Sequence, residues 1–112
     1  MRRLAQTVRL RPGHREEYLA LHAAVWPAVQ AALRSAHVTN YSIFLHEDTL
    51  FGYFEYAGDD FEADMAAIAQ DPETQRWWAL TDPCLESLAD TGTGGTWSDM
   101  TEIWHLSETD PA

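Results

Sequence analysis

Two runs of alternating residues, Val38 to Leu45 (VTNYSIFL) and Leu50 to Tyr56 (LFGYFEY), are joined by only four polar residues, His46-Glu47-Asp48-Thr49. Both runs are rich in β-branched and aromatic types, and so short a link sends the second run back along the first as an antiparallel hairpin. Tyr41, Ile43 and Leu45 share one face of the first strand, and Asn40, Ser42 and Phe44 share the other. A third alternating run, Arg3 to Leu10, places Leu4, Gln6, Val8 and Leu10 on one side and Arg3, Ala5, Thr7 and Arg9 on the other. A sheet with sizeable apolar residues on both faces needs cover on both, and helices on one side leave the other for a second copy of the chain.

The segments between these strands have helical spacing. After the turn at Pro12-Gly13, a helix is predicted from about His14 to Arg34, with Glu16 and Glu17 in its first turns and a kink near Trp26 caused by Pro27. Gly58-Asp59-Asp60 ends the hairpin and supplies an N-cap for a helix over Phe61 to Gln70. Asp71-Pro72 starts another helix, as cap and first helical residue, ending before Pro83 or near Leu88. A Gly/Thr-rich loop over residues 89–99 leads to a last strand, Met100 to Leu106, and a loose tail over 107–112. The order is β-α-β-β-α(α)-β, with no internal repeat, in a chain of 112 residues that reads as one domain over residues 1–112.

Within the first helix, Tyr18, His22 and Trp26 recur at i, i+4 and i+8. Four residues advance a helix by about 400°, so the three rings form one slanted row. Tyr and Trp commonly sit at the edge of a core with the polar tip wet, and a histidine among them is most often structural. The alternative is chemical: an imidazole able to exchange protons near neutral pH, between rings that can pack on a flat ligand. The pair Trp77-Trp78 adds to this, because neighbours on a helix lie about 100° apart and cannot both be buried in one core.

Charge narrows the ligand. Eighteen acids face seven bases, all arginine, for a net charge of −11. With no lysine, a lysine Schiff base is ruled out, and the acidic surface disfavours nucleic acid and anionic membranes as partners. A neutral, polyhydroxylated ligand meets no such objection. Nucleotide-binding, zinc-peptidase and nucleophile-elbow motifs are lacking. The five histidines are scattered, and the single cysteine, Cys84, has no Cys or His at ligand spacing, so it reads as a buried thiol and no metal is expected. With no apolar run of membrane length and no apolar leader, the chain reads as cytoplasmic.

Four segments then fall together: E-E-Y-x-x-x-H-x-x-x-W-P from Glu16 to Pro27, N-Y-S-I-F-L from Asn40 to Leu45, Q-R-W-W from Gln75 to Trp78, and T-E-I-W-H-L from Thr101 to Leu106. In this order and at these separations the chain resembles the L-rhamnose mutarotases from about residue 3 to 106. The resemblance implies a ferredoxin-like dimeric α+β barrel, with an antiparallel sheet and helices on one face. It implies cofactor-free interconversion of the α and β anomers of a 6-deoxy sugar, and a homodimer packed through its sheets. The family's proton-donating histidine matches His22, its sugar-contacting tyrosines match Tyr18 and Tyr41, and its tryptophan pair matches Trp77 and Trp78. The loop 89–99 and Pro83-Cys84 depart from the family pattern. L-fucose or another monosaccharide stays open as substrate. So do a cofactor-free or haem-linked monooxygenase of the same barrel type, and a sugar sensor without catalysis.

Overall fold

The structure, a computed structural model, describes residues 1–86 and 97–106. Strand β1 spans Arg2–Leu10, β2 Val38–His46 and β3 Thr49–Tyr56, with helices α1 (Arg15–His22), α2 (Pro27–Ser35), α3 (Phe61–Gln70) and α4 (Pro72–Thr81). A 3-10 turn over Asp82–Cys84 leads into β4 (Leu85–Glu86), and β5 (Ser98–Met100) closes the order. All the strand pairings are antiparallel, in the order β2-β3-β1-β4, and β5 pairs with β1 on the same edge as β4. This is the α+β, ferredoxin-like arrangement expected, with β1 in the centre of the sheet.

The predicted single helix over 14–34 is two helices. Pro27 bars the residue before it from helical geometry, and Trp26 is extended at φ −60°, ψ 134°. Pro27 is then the first residue of α2, where its missing N–H costs nothing. The expected kink is thus a full break over residues 23–26. Asp60 caps α3 by accepting from the Ala63 N–H, and Asp71 caps α4 by accepting from the Thr74 N–H and hydroxyl.

The last strand is shorter than predicted and begins two residues earlier, within the expected loop, so that it shares only Met100 with the expected span. Only Ser98–Met100 pair with β1, opposite Thr7, Gln6 and Ala5. Continuing that register brings residue 102 to Arg3, which donates to the Glu102 carboxylate at 3.0 Å, and residue 103 to the start of β1. Residues 104–106 pair with no strand among the described residues, and Ile103, Trp104 and Leu106 lie exposed there. The expected loop falls outside the described residues up to residue 96, as does the expected tail.

The inner face of the sheet carries two separate cores. Val8, Leu10 and Leu50 pack with Tyr18, Cys84 and Leu85 at one end. Val38 and Phe54 pack with Ala36 and Ile68, flanked by Leu4, Leu33, Phe61 and Met65, at the other. Burying each large apolar side chain is worth about 1.5–3 kcal/mol. The register places Val8 opposite Leu50 and Leu4 opposite Phe54, with Gln6 opposite Gly52 between them. A polar side chain and a missing one thus occupy the layer between the two cores, where a continuous core would be apolar.

Candidate active site

That middle layer is the floor of the site. An ideal Cβ on Gly52 would stand 3.4 Å from the Trp97 ring and 3.9 Å from the Tyr41 ring, so both aromatics lie over this glycine. Gln6 beside it donates to the Asp99 carboxylate at 3.0 Å. Together they present an amide and a carboxylate next to two rings.

Tyr41 reaches this face through an irregularity in β2. Val38 and Thr39 pair with Tyr56 and Glu55, but Ser42 and Ile43 pair with Tyr53 and Gly52, so β2 carries one extra residue. Asn40 stands at φ +49° within the bulge, and its amide donates to Glu55 on the outer face at 2.6 Å. Without the bulge, strict alternation from the buried Val38 would turn Tyr41 outward. With it, Tyr41 packs 5.3 Å from the Phe54 ring, on the inner side with Ile43 and Leu45.

The wall is the predicted ring row. The Tyr18 and His22 rings stack at 4.2 Å, and the edge of Trp77 meets His22 at 5.3 Å. Trp26 meets Trp77 at the same distance. The row predicted as Tyr18-His22-Trp26 is therefore completed by Trp77 from α4, because the break in α1 carries Trp26 off the helix. Trp77 is 5% exposed and Trp78 38%, as their angular separation requires. Of the five expected site residues, Tyr18, His22 and Trp77 touch in sequence. Tyr41 stands on the facing strand. Trp78 lies on the outer flank of α4 and makes no ring contact among the described residues.

Electrostatics set the protonation states. His22 Nδ1 lies 3.0 Å from the Tyr18 carbonyl oxygen, which can only accept, so Nδ1 carries the proton and Nε2 holds the free lone pair. Burial lowers the His22 pKa below its ordinary 6.5, opposed by that hydrogen bond. Burial also pushes the Tyr18 phenol well above its usual range, helped by nearby Tyr41, Cys84 and Asp82. At neutral pH the wall thus holds a neutral imidazole with a free Nε2 lone pair beside a phenol that keeps its proton.

Sequence reasoning missed Gly52, Gln6, Asp99 and Trp97. The last lies at the end of a segment read as loop, and only the pairing of Ser98 with Thr7 shows that residue 97 turns inward.

The sequence model of the L-rhamnose mutarotase family matches residues 3–106. The chain belongs to that family. Its members are enzymes that interconvert sugar anomers. The chain is 36% identical to the L-rhamnose mutarotase of Listeria monocytogenes, over 96% of this chain and all of the relative. It is 38% identical to that of Opitutus terrae, over 95% and 99%. The crystal structure of an L-rhamnose mutarotase from Formosa agariphila superposes with a TM-score of 0.75 at 23% identity, covering 96% of this chain and 100% of that one, which supports the fold.

Proposed function

We propose that this member of the mutarotase family interconverts the α and β anomers of L-rhamnose, with His22 moving the proton. The observation carrying this reading is the tethered imidazole: Nδ1 bound to the Tyr18 carbonyl leaves the Nε2 lone pair free between the rings of Tyr18 and Trp77. Nε2 takes the proton of the anomeric hydroxyl as the C1–O5 bond breaks. The ring oxygen gains a proton from solvent, guided by a hydrogen bond from the Tyr18 or Tyr41 phenol. The open aldehyde rotates about C1–C2, and the same transfers run in reverse to close the other face. Acid/base help of this kind contributes about 10²–10⁴-fold, enough for a reaction that already proceeds in water.

Trp77, Trp97 and the bare floor at Gly52 suit the apolar C–H face and methyl group of a 6-deoxy sugar, while Gln6 and Asp99 suit its hydroxyls. Trp78 is assigned to the sugar-binding rim. We assign the whole chain, residues 1–112, to one domain, acting as a cytoplasmic homodimer. Support for the dimer is the uncovered outer sheet face, where Phe44 pairs with Phe51, and the unpaired arm of Ile103, Trp104 and Leu106. No helix among the described residues is long and apolar enough to cross a membrane.

Saturation-transfer NMR of anomer exchange across L-rhamnose, L-fucose and unrelated hexoses tests the function. Acceleration is expected with L-rhamnose and is expected to vanish in His22→Ala, with the variant still folded. An L-rhamnose exchange rate no faster than in buffer overturns the activity, and full acceleration by His22→Ala overturns the role of His22.

A further inference from the structure

His14, Glu17 and Cys84 are not among the residues assigned to the sugar site, and in sequence Cys84 lies far from the other two. In the fold their ligand atoms gather within 4.8 Å of one another. His14 is the N-cap of α1 and Glu17 lies in its first turns, so one helical turn sets His14 Nδ1 3.2 Å from Glu17 Oε2. Cys84 arrives from the 3-10 turn after α4, and its carbonyl accepts from the Arg11 N–H at 2.8 Å, pinning that turn beside the start of the helix. Cys84 is the buried thiol expected from the sequence, and its nearness to His14 and Glu17 arises only in the fold.

We propose that His14, Glu17 and Cys84 bind a thiophilic divalent cation of the zinc class. Tetrahedral zinc takes ligands at about 2.0–2.3 Å, which puts neighbouring donor atoms about 3.3–3.8 Å apart. The His14–Glu17 separation of 3.2 Å lies within about 0.1 Å of this range, and the sulfur lies within 4.8 Å of both donor atoms. One nitrogen, one carboxylate oxygen and one thiolate complete three corners. The fourth opens toward solvent, since Cys84 is buried while Glu17 is exposed. On binding, the Cys84 thiol gives its proton to solvent and its sulfur pair to the metal. Thiolate and carboxylate then balance the charge of the cation, so no net positive charge is added at the helix N-terminus. The metal acts as a clamp: it ties the start of the helix carrying Tyr18 and His22 to the segment after the helix carrying Trp77, and takes no part in proton transfer.

Cobalt(II) titrated into the purified full chain tests this, because a cobalt–thiolate bond gives a near-ultraviolet charge-transfer band and a tetrahedral site gives strong visible absorption. One equivalent is expected to bind with both signals, zinc is expected to displace it, and the zinc-loaded protein is expected to melt at higher temperature. His14→Gln and Glu17→Gln, both on the surface, should each weaken binding by more than about 100-fold, beyond the loss expected when only an outer partner is removed. Cys84→Ser should abolish the charge-transfer band. Absence of that band in the unaltered protein overturns the proposal, even if cobalt binds through other histidines. So does cobalt affinity unchanged in the two surface variants.

Discussion

The imidazole of His22 lies against the ring of Tyr18 at 4.2 Å and is tied through Nδ1 to the carbonyl oxygen of the same residue at 3.0 Å. One helical turn thus fixes both the orientation and the tautomer of the base, with no second element needed. Burial holds its pKa below 6.5. kcat/KM should therefore rise with pH through a midpoint below 6.5 and level off above it. The unfolded imidazole takes a proton more readily than the folded one. Its contribution to stability is complete above about 6.5 and is lost as pH falls through the folded pKa. Titration of His22 by NMR checks both statements, and a midpoint above 6.5 would contradict them.

The two neighbouring tryptophans should separate in a stability assay. Trp77 is wedged between His22 and Trp26 and is almost fully buried, so Trp77→Ala should cost about 3–5 kcal/mol in denaturant unfolding. Its effect on sugar binding is then read only at temperatures where the variant is folded. Trp78→Ala, on the exposed flank, should cost less than about 1 kcal/mol. Equal losses would contradict the placement of α4.

Gly52 should tolerate one carbon and no more. A Cβ there meets Trp97 and Tyr41 at ordinary contact distances, so Gly52→Ala should fold and bind sugar. Gly52→Val places two further methyl groups into the space between the two rings and should raise KM while leaving the two cores intact. An unchanged KM in Gly52→Val would show that the crevice lies elsewhere.

The first three strands, the hairpin of β2 and β3, and the Tyr18–His22 pair were legible because each depends on spacing within one segment or across one short link. Alternation marked Leu4, Val8 and Leu10 as one face, and the core confirms it. The floor was not legible. Gly52, Gln6, Asp99 and Trp97 come from three strand regions and meet only through the pairing of β1 with β3 and β5. Tyr41 was assigned the right face by alternation counted back from Ile43 and Leu45. Counted forward from Val38 it would have gone to the wrong one, because a bulge at Asn40 cannot be counted from residue types. Likewise Pro27 announced a disturbance at Trp26, but a kink and a break differ in whether the preceding turns keep their tertiary contacts. The truncated end of β5 depends on where β1 begins, a fact about its neighbour and not about residues 101–106.

The outer face of the sheet sets the last prediction. Phe44 and Phe51 are directly paired there, with Met100 opposite Ala5 on the same side, and all three large residues are exposed. Beyond the end of β1, Ile103, Trp104 and Leu106 extend with no neighbouring strand among the described residues. Two copies stacked by these faces would bury the aromatic pairs and give each arm a surface to lie on, and an apolar surface of this kind stays in water only at a cost of about 25 cal/mol per Å². Sedimentation should therefore show a dimer. Replacing Phe44 and Phe51 together by glutamate would bring four buried carboxylates into one interface, and this variant should sediment as a monomer at micromolar concentration. The inner face, with Tyr18, His22 and Trp77, does not touch either position, so the far-ultraviolet circular dichroism of the monomer should keep its native shape. A variant that stays dimeric would place the contact on another surface of the chain.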